Sequence, residues 1–373
     1  MREKIMWLII FGVSIIAAIT GAIYLSRKIE RTGIFSSLSN KMYVTFLSVA
    51  ATAVILFILT RIFDVTNMII IVMHVAVFLL LGDLAGFIIR KSSSAVIDPR
   101  LIDLTALIVC FIYLCIGWFL MHGMWETDYA LATVKDSGNI RIAHIADSHI
   151  GSGFNGEGFA QRLSQIQEKE PDILVITGDF VDDSTSKADM ESACAALGNF
   201  KTKYGIYFCM GNHDGGYYSE QRRGYGLNDL IAELEKNNVT VLQDESVLID
   251  DRFYVIGRRD AGYATSDRLA IADLIKDLEK GKYMIVLDHQ PTDYDAEEAA
   301  GVDLVLSGHT HGGQIFPLEY IQPIVSQNNN VRGLEHRGNT DFIVTDGISD
   351  WAIKFRTGCK SEFNIIEVDG TTP

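Results

Sequence analysis

Five short apolar stretches each run directly into an aspartate, histidine or asparagine, and this repeated pattern limits the folds open to the chain. Ile140 to Ala146 ends at Asp147-Ser148-His149, and Asp172 to Ile176 leads into Gly178-Asp179-Phe180-Val181-Asp182. Gly205 to Met210 ends at Gly211-Asn212-His213-Asp214, Met284 to Leu287 at Asp288-His289, and Val302 to Leu306 at Ser307-Gly308-His309-Thr310-His311. Short continuous apolar runs bounded by turn residues read as strands buried on both faces. Helical spacing falls between them at Phe159–Glu168, Lys187–Phe200, Leu227–Asn237 and Leu269–Glu279. Alternating strand and helix implies an α/β domain, in which side chains at the carboxyl ends of strands converge on one rim. Of the seven histidines after residue 124, five stand at these ends: His149, His213, His289, His309 and His311.

In extended backbone, side chains two apart point the same way. Asp147 and His149 are therefore spaced to face one metal ion, with His311 completing that site. His289 and His309 supply nitrogens to a second ion, Asn212 a neutral oxygen, and Asp179, on a tight turn, a carboxylate able to bridge both. A mixed oxygen and nitrogen set without thiolate suits two divalent ions of Mn, Fe or Zn better than Ca or a structural zinc. Two such ions about 3.5–4 Å apart can hold a bridging hydroxide and clamp a phosphoryl group for in-line displacement.

Together, Asp147-x-His149, Gly178-Asp179-x-x-Asp182, Gly211-Asn212-His213-Asp214, His289 and Gly308-His309-x-His311 resemble, in order, the motifs of calcineurin-like metallophosphoesterases. The resemblance covers Ile140 to Val368. It implies a four-layer αββα sandwich of two sheets flanked by helices, with a dinuclear site at one edge. It also implies that His213 contacts the substrate phosphate and protonates the leaving group, with Asp214 orienting it. The tail from Asp341 to Val368 resembles a membrane-bound branch that includes bacterial phosphodiesterases and UDP-2,3-diacylglucosamine pyrophosphatase-like proteins. The expected activity is phosphodiester hydrolysis, or pyrophosphate hydrolysis of a lipid-linked or nucleotide-sugar substrate. The alternative is a membrane sensor or transporter-like protein whose phosphoesterase-like domain binds phosphorylated ligands without turnover.

Composition separates the first 124 residues from the rest. They carry 10 Lys+Arg against 6 Asp+Glu, while the remainder carries 22 against 41, so charges of +4 and −19 make the net −15. So acidic a domain repels nucleic acid and anionic lipid surfaces except where bound cations reverse the sign, and no nucleic-acid binding is expected. Four apolar runs, about 5–25, 42–62, 68–89 and 104–124, each have the roughly 20 residues that a membrane-spanning helix needs. Leu59–Asn67 reads as a tight turn between the second and third, and residues 125–139 as a polar linker to a catalytic domain at 140–369. Arg27, Lys28, Arg31, Lys41, Arg90, Lys91 and Arg100 on one side outnumber Arg2, Lys4, Arg61, Lys135 and Arg141 on the other. By the positive-inside rule, the catalytic domain of this multi-pass membrane protein is expected outside the cytoplasm.

Within the third run, His74 and Asp83 are ionisable. Asp83 has Arg90 seven residues on as a local partner, and Gly82 and Gly86 have the spacing of close helix packing. Arginine forks bind phosphate well, which makes Arg222, Arg223, Arg258 and Arg259 candidate substrate contacts. Asp182 reads as a turn residue behind the ligands, His144 as a packed strand residue and His336 as solvated. The five cysteines have neither metal nor disulfide spacing and read as buried free thiols. Phe342–Thr345, Trp351–Phe355 and Phe363–Val368 read as strands.

Overall fold

The computed structural model describes residues 2–32, 34–35, 38–92, 97–218, 220–262 and 268–370, with side chains from residue 12 onward. The chain divides into two compact units, Met1–Trp118 and Phe119–Pro373.

Apolar residues in long unbroken runs leave the first unit nothing but helix to form. Among the described residues, three helices are long and apolar enough to cross a membrane, α1 (Arg2–Arg31), α2 (Lys41–Ser92) and α3 (Pro99–His122), not the four expected. The second and third runs share α2, whose 52 residues would reach about 78 Å if straight. They are not straight. Asp64 leaves helical geometry at φ 75° and ψ 175°, and its carboxylate accepts from the Asn67 backbone N–H at 3.0 Å, restarting the helix within one turn. Thr45 and Asp83, on opposite sides of Asp64, reach the near neighbours Glu30 and Lys28 of α1, so the chain folds back there without an open loop.

Lys28, buried, meets Asp83 and Asp103 at 2.6 Å each, so one cation ties all three helices. Asp83 thus takes its partner from α1 instead of Arg90, because tertiary packing brings Lys28 to it. A Cβ on Gly82 would lie 3.3 Å from Ala106, and one on Gly86 2.6 Å from Ile102, so these glycines set the close approach of α2 to α3. His74 bonds to the Ile70 carbonyl at 2.8 Å, within its own helix. Cys110 is buried, but Cys115 is exposed, contrary to expectation, since it falls on the outer face of α3.

The second unit is two stacked six-stranded sheets. Its strands are β1 (Trp125–Ala132), β2 (Ile140–Ile145), β3 (Ile173–Thr177), β4 (Ile206–Cys209), β5 (Val239–Leu242), β6 (Glu245–Ile249), β7 (Phe253–Gly257), β8 (Tyr283–Leu287), β9 (Leu304–Ser307), β10 (Gly333–Arg337), β11 (Thr340–Val344) and β12 (Glu362–Asp369). Its helices are α4 (Gly156–Gln167), α5 (Lys187–Asn199), α6 (Glu220–Arg223), α7 (Leu227–Lys236), α8 (Ile271–Leu274), α9 (Tyr294–Ala300) and α10 (Leu318–Val325). One sheet runs β1-β12-β2-β3-β4-β5, the other β10-β11-β9-β8-β7-β6.

Period-2 alternation places each strand between two cores. Ile142 and Val175 pack between the sheets with Phe253, Ile285 and Leu306. Ala143, Ile145, Leu174 and Ile176 point the other way, against Phe159, Leu163, Leu197 and Leu234 of α4, α5 and α7. Ile256, Met284 and Val286 close the opposite face against α8 and α9. The result is αββα, and the double burial explains why these strands read as unbroken apolar runs.

Three local expectations fail. The supposed linker begins with β1, which pairs parallel with β12 over eight residues, Trp125 opposite Glu362 through Ala132 opposite Asp369. A strand whose partner lies more than two hundred residues away gives no local signal. Trp351–Phe355 is irregular, because it curls around the buried Arg356, whose guanidinium takes the Gly347 and Lys360 carbonyls at 3.3 and 2.8 Å. Helix in Leu269–Glu279 shrinks to the single turn α8, with Leu269 N–H held outside it by Asp244 at 3.0 Å.

Candidate metal centre

Strands β2, β3 and β4 are mutually parallel, as are β7, β8 and β9, so their carboxyl ends deliver side chains to one rim. The chain then turns abruptly. Asp147, His149, Asp179, His309 and His311 all have positive φ, between 37° and 71°. Left-handed backbone is uncommon outside glycine and recurs where function holds it in place. Glycine clears the space: a Cβ on Gly211 would fall 2.3 Å from Asp179 Oδ1, and one on Gly308 2.5 Å from Asp147 Oδ2.

Two donor groups result. Asp147, His149 and His311 form one, and Asp179, His289 and His309 the other, the donor atoms of each lying within 4.8 Å of one another. Asp179 Oδ2 stands between them, 3.2 Å from His289 Nε2 and 3.7 Å from His149 Nε2. His311 Nε2 is 3.5 Å from Asp147 Oδ1, and Asn212 Oδ1 is 3.2 Å from His289 Nε2. All seven residues predicted as ligands therefore meet at one place.

The donor chemistry fits two cations. Both ring nitrogens of the fully buried His149 lack a hydrogen-bond partner, and Asp182 stands 3.4 Å from its Nδ1. Burial works against a charged imidazole, yet Asp182, Asp179 and Asp147 hold His149 up at about 9. Burial likewise opposes charge on His289, but Asp179 and Asp147 hold it well above its ordinary value. His309 goes the other way, to about 3, through burial and the neighbouring His289. His311 is likewise driven well below its ordinary value by burial, so the buried carboxylates hold protons on His149 and His289 while His309 and His311 are left as neutral donors, a set that bound cations suit.

The model of the family described as calcineurin-like phosphoesterase matches residues 140–313, the span that carries all seven donors. The chain carries a calcineurin-like phosphoesterase domain. An uncharacterized metallophosphoesterase of Campylobacter jejuni is 31% identical over 241 residues, covering 62% of this chain and 60% of that protein. A second, from Aquifex aeolicus, is 34% identical over 188 residues, covering 48% of this chain and 66% of its own. A protein of Bos taurus described as a transmembrane protein with metallophosphoesterase domain is 28% identical over 240 residues, covering 60% of this chain and 52% of that one. The chain spans about 60% of the length of the first curated relatives it matches.

Within this phosphoesterase domain, His213 sits at the rim. Its backbone N–H donates to Asp179 Oδ1 at 2.7 Å, and its ring lies edge-on to His149, 5.0 Å between centroids. Tyr217 and Trp351 flank that ring at 5.0 and 5.8 Å. Asp214 does not orient it, contrary to expectation. The Asp214 carboxylate is fully buried and accepts from the backbone N–H groups of Asp179, Phe180, Val181 and Gly211, at 2.7 to 3.1 Å. It ties together the two loops that carry Asp179 and Asn212.

The arginines separate. Arg258 is buried among Asp288, Asp293 and Glu297 at 2.9, 2.8 and 3.0 Å, with no fork left for a phosphate. Arg223 is also buried, donating to the Asp214 and Gly215 carbonyls at 3.1 and 2.8 Å. Both are structural, because burial and several acceptors on their terminal nitrogens leave no exposed fork. Arg259 lies exposed beside Asp244, and Arg222 lies exposed over the Tyr218 ring at 4.6 Å. His144 is fully buried on Thr177, and the exposed His336 pairs with Asp341.

Sequence reasoning missed the strap behind His311. His311 Nδ1 lies 3.3 Å from the Ser349 carbonyl and 3.5 Å from Asp350, and Asp350 is paired with Arg356 at 3.3 Å. It also missed Asp260, buried beside Gln290 at 3.0 Å. An isolated Asp and Arg in an irregular tail have no spacing signal that would find them.

Proposed function

We propose that this protein is a membrane-anchored hydrolase of phosphate esters that works with two divalent metal ions of Mn, Fe or Zn. The single observation that carries the reading is Asp179 Oδ2 standing between two separate triads of buried donors. Asp147, His149 and His311 hold one ion, Asn212, His289 and His309 the other, and Asp179 joins both. When bound, the ions activate a water and neutralise charge on the phosphoryl oxygens. The chain's own residues do the rest.

His213 is the proton donor to the leaving oxygen. Its ring faces the rim between Tyr217 and Trp351, free of the contacts that bind its neighbours into the ligand triads. Burial holds its imidazole below the ordinary value. An anionic phosphoryl group beside the ring works against that effect and favours the proton-bearing form. The domain's net negative charge leaves substrate attraction to the bound ions. A lipid-linked or nucleotide-sugar diphosphate and a simpler phosphodiester both meet these requirements. The excess of Lys and Arg in the loops Arg27–Lys41 and Arg90–Arg100 supports a catalytic domain outside the cytoplasm, which reporter fusions after Val368 test.

The deciding experiment is His213→Ala. It keeps both ions by elemental analysis and loses about 10²–10⁴-fold on alkyl phosphodiesters, whose leaving group needs a proton. Nitrophenyl phosphodiesters, whose leaving group needs none, suffer far less. Equal loss on both overturns the proton-donor role, and full metal occupancy with no turnover across a phosphoester panel overturns the enzyme reading.

A further inference from the structure

Helix α10 has a composition that its surroundings do not explain. Its eight residues, LEYIQPIV, include none that is buried. Tyr320 is 66% and Ile324 82% exposed, and Phe316, Leu318, Ile321 and Val325 stand open beside them. A contiguous apolar patch on an otherwise well-packed domain marks a surface that something covers.

Its neighbours say what covers it. Phe316 N–H donates to Thr357 Oγ1 at 3.1 Å, and the Gly358 N–H bonds to the Gln314 carbonyl at 3.1 Å, so α10 is rooted on the 357–358 turn. Three residues on, Ser361 N–H donates to the Leu120 carbonyl at 3.0 Å and Ser361 Oγ to the Met121 carbonyl at 2.6 Å. Arg162 holds the His122 carbonyl at 2.9 Å. The last turn of α3, from Phe119 on, is thus built into this unit next to α10. Lys360 lines a cleft with Leu120 at the same place, on a domain whose net charge is strongly negative, while Arg332 beside it is paired with Asp346 at 2.7 Å.

We propose that α10, with Phe316, lies in the interface of the bilayer that α3 crosses. Apolar side chains dip below the headgroups, with Lys360 at the same edge to meet the lipid phosphates. The inference rests on the membrane-anchored part of the reading above. It adds a consequence for substrate. A Cβ on Gly313 would lie 2.6 Å from the Glu319 backbone, so α10 packs directly on the loop of His309 and His311. A Cβ on Gly153 would lie 2.9 Å from Met121 Cε, so the His149 loop also abuts the end of α3. The metal-bearing rim and the apolar surface share one side of the domain. The substrate class this favours is a phosphoester carried on a membrane amphiphile.

The test uses the full chain in phosphatidylcholine–phosphatidylglycerol vesicles containing a phosphatidylcholine with a diazirine in its acyl chain. After irradiation, adducts are mapped by peptide mass spectrometry. Labelling is expected on 316–325 as well as on α1–α3, and absent from the turn at Asp250–Arg252, at the opposite ends of the strands. The double substitution Tyr320→Glu and Ile324→Glu removes the label from 316–325 and leaves that on α1–α3. Labelled helices with an unlabelled 316–325 overturn the proposal and leave the membrane anchor standing. Chemical cross-links joining 316–325 of two copies, without lipid adducts, overturn it in favour of self-association. An absence of label throughout overturns the membrane anchor and this proposal together.

Discussion

Replacing Arg356 with methionine tests the strap that holds His311. Arg356 is fully buried and donates to the carbonyls of Gly347, Ser349 and Lys360 and to the Asp350 carboxylate. Methionine fills much of the volume, so the loss is electrostatic. Asp350, itself fully buried, loses the partner that favours its charge against burial, and breaking one side of a buried ion pair costs about 3–5 kcal/mol. For a unit of this size, that corresponds to a fall in melting temperature of roughly 6–20 °C. The damage is also local. Ser349 and Asp350 are the residues against His311 Nδ1, at 3.3 and 3.5 Å, so His311 loses the contacts that hold its ring in place. Outer partners of a ligating histidine typically affect metal affinity by about 10–100-fold. Arg356→Met is expected to weaken one metal site and spare the other, measured by elemental analysis during graded chelation, alongside a melting curve. Two ions retained with unchanged affinity, and a melting temperature within a degree of wild type, would show that the strap is ornamental.

Asp179→Asn should lose both ions and all activity, whereas His311→Ala should weaken chiefly the site shared with Asp147 and His149. Elemental analysis finding two ions in Asp179→Asn would refute the bridging assignment. Asp214→Ala strands four backbone N–H groups, each costing about 1–3 kcal/mol when unsatisfied. It should lower stability and metal affinity together, with no selectivity between alkyl and nitrophenyl substrates, and a selectivity like that of His213→Ala would restore an orienting role. His144 carries a pH prediction. Burial depresses its imidazole to about 3, so the unfolded state binds a proton that the folded state refuses between about 6.5 and 3. Stability must therefore fall as pH drops through that window, by about 2 kcal/mol between pH 7 and 5 from this residue alone. His144→Gln should flatten the loss of melting temperature over that range, and an identical pH slope in both proteins would refute the assignment.

Much of the catalytic domain was legible because its signals are local. A strand buried on both faces must be a short apolar run, and the residue that ends it is adjacent in sequence, so Asp147, Asp179, Asn212, His289 and His309 announced themselves. Position at a strand's carboxyl end then implies convergence, whatever the exact sheet order. His149 and His311 reach the rim on left-handed turns beyond the strand ends rather than on extended backbone.

What the sequence could not show depends on partners far along the chain. Arg258 and Arg223 look like phosphate forks until tertiary packing surrounds them with carboxylates and carbonyls. Asp214 follows His213 in sequence, yet its carboxylate answers backbone N–H groups some 35 residues away. β1 exists only because β12 lies beside it, and Arg356 matters only because Asp350 and His311 meet behind the rim. Apolar α10 has no buried residue, which only the packed fold reveals. Periodicity and adjacency determine which residues are strands, helices and donors, because those follow from the chain's own geometry. Which charge is spent on structure and which faces the site is decided by burial, a property of the assembled fold and of no segment alone.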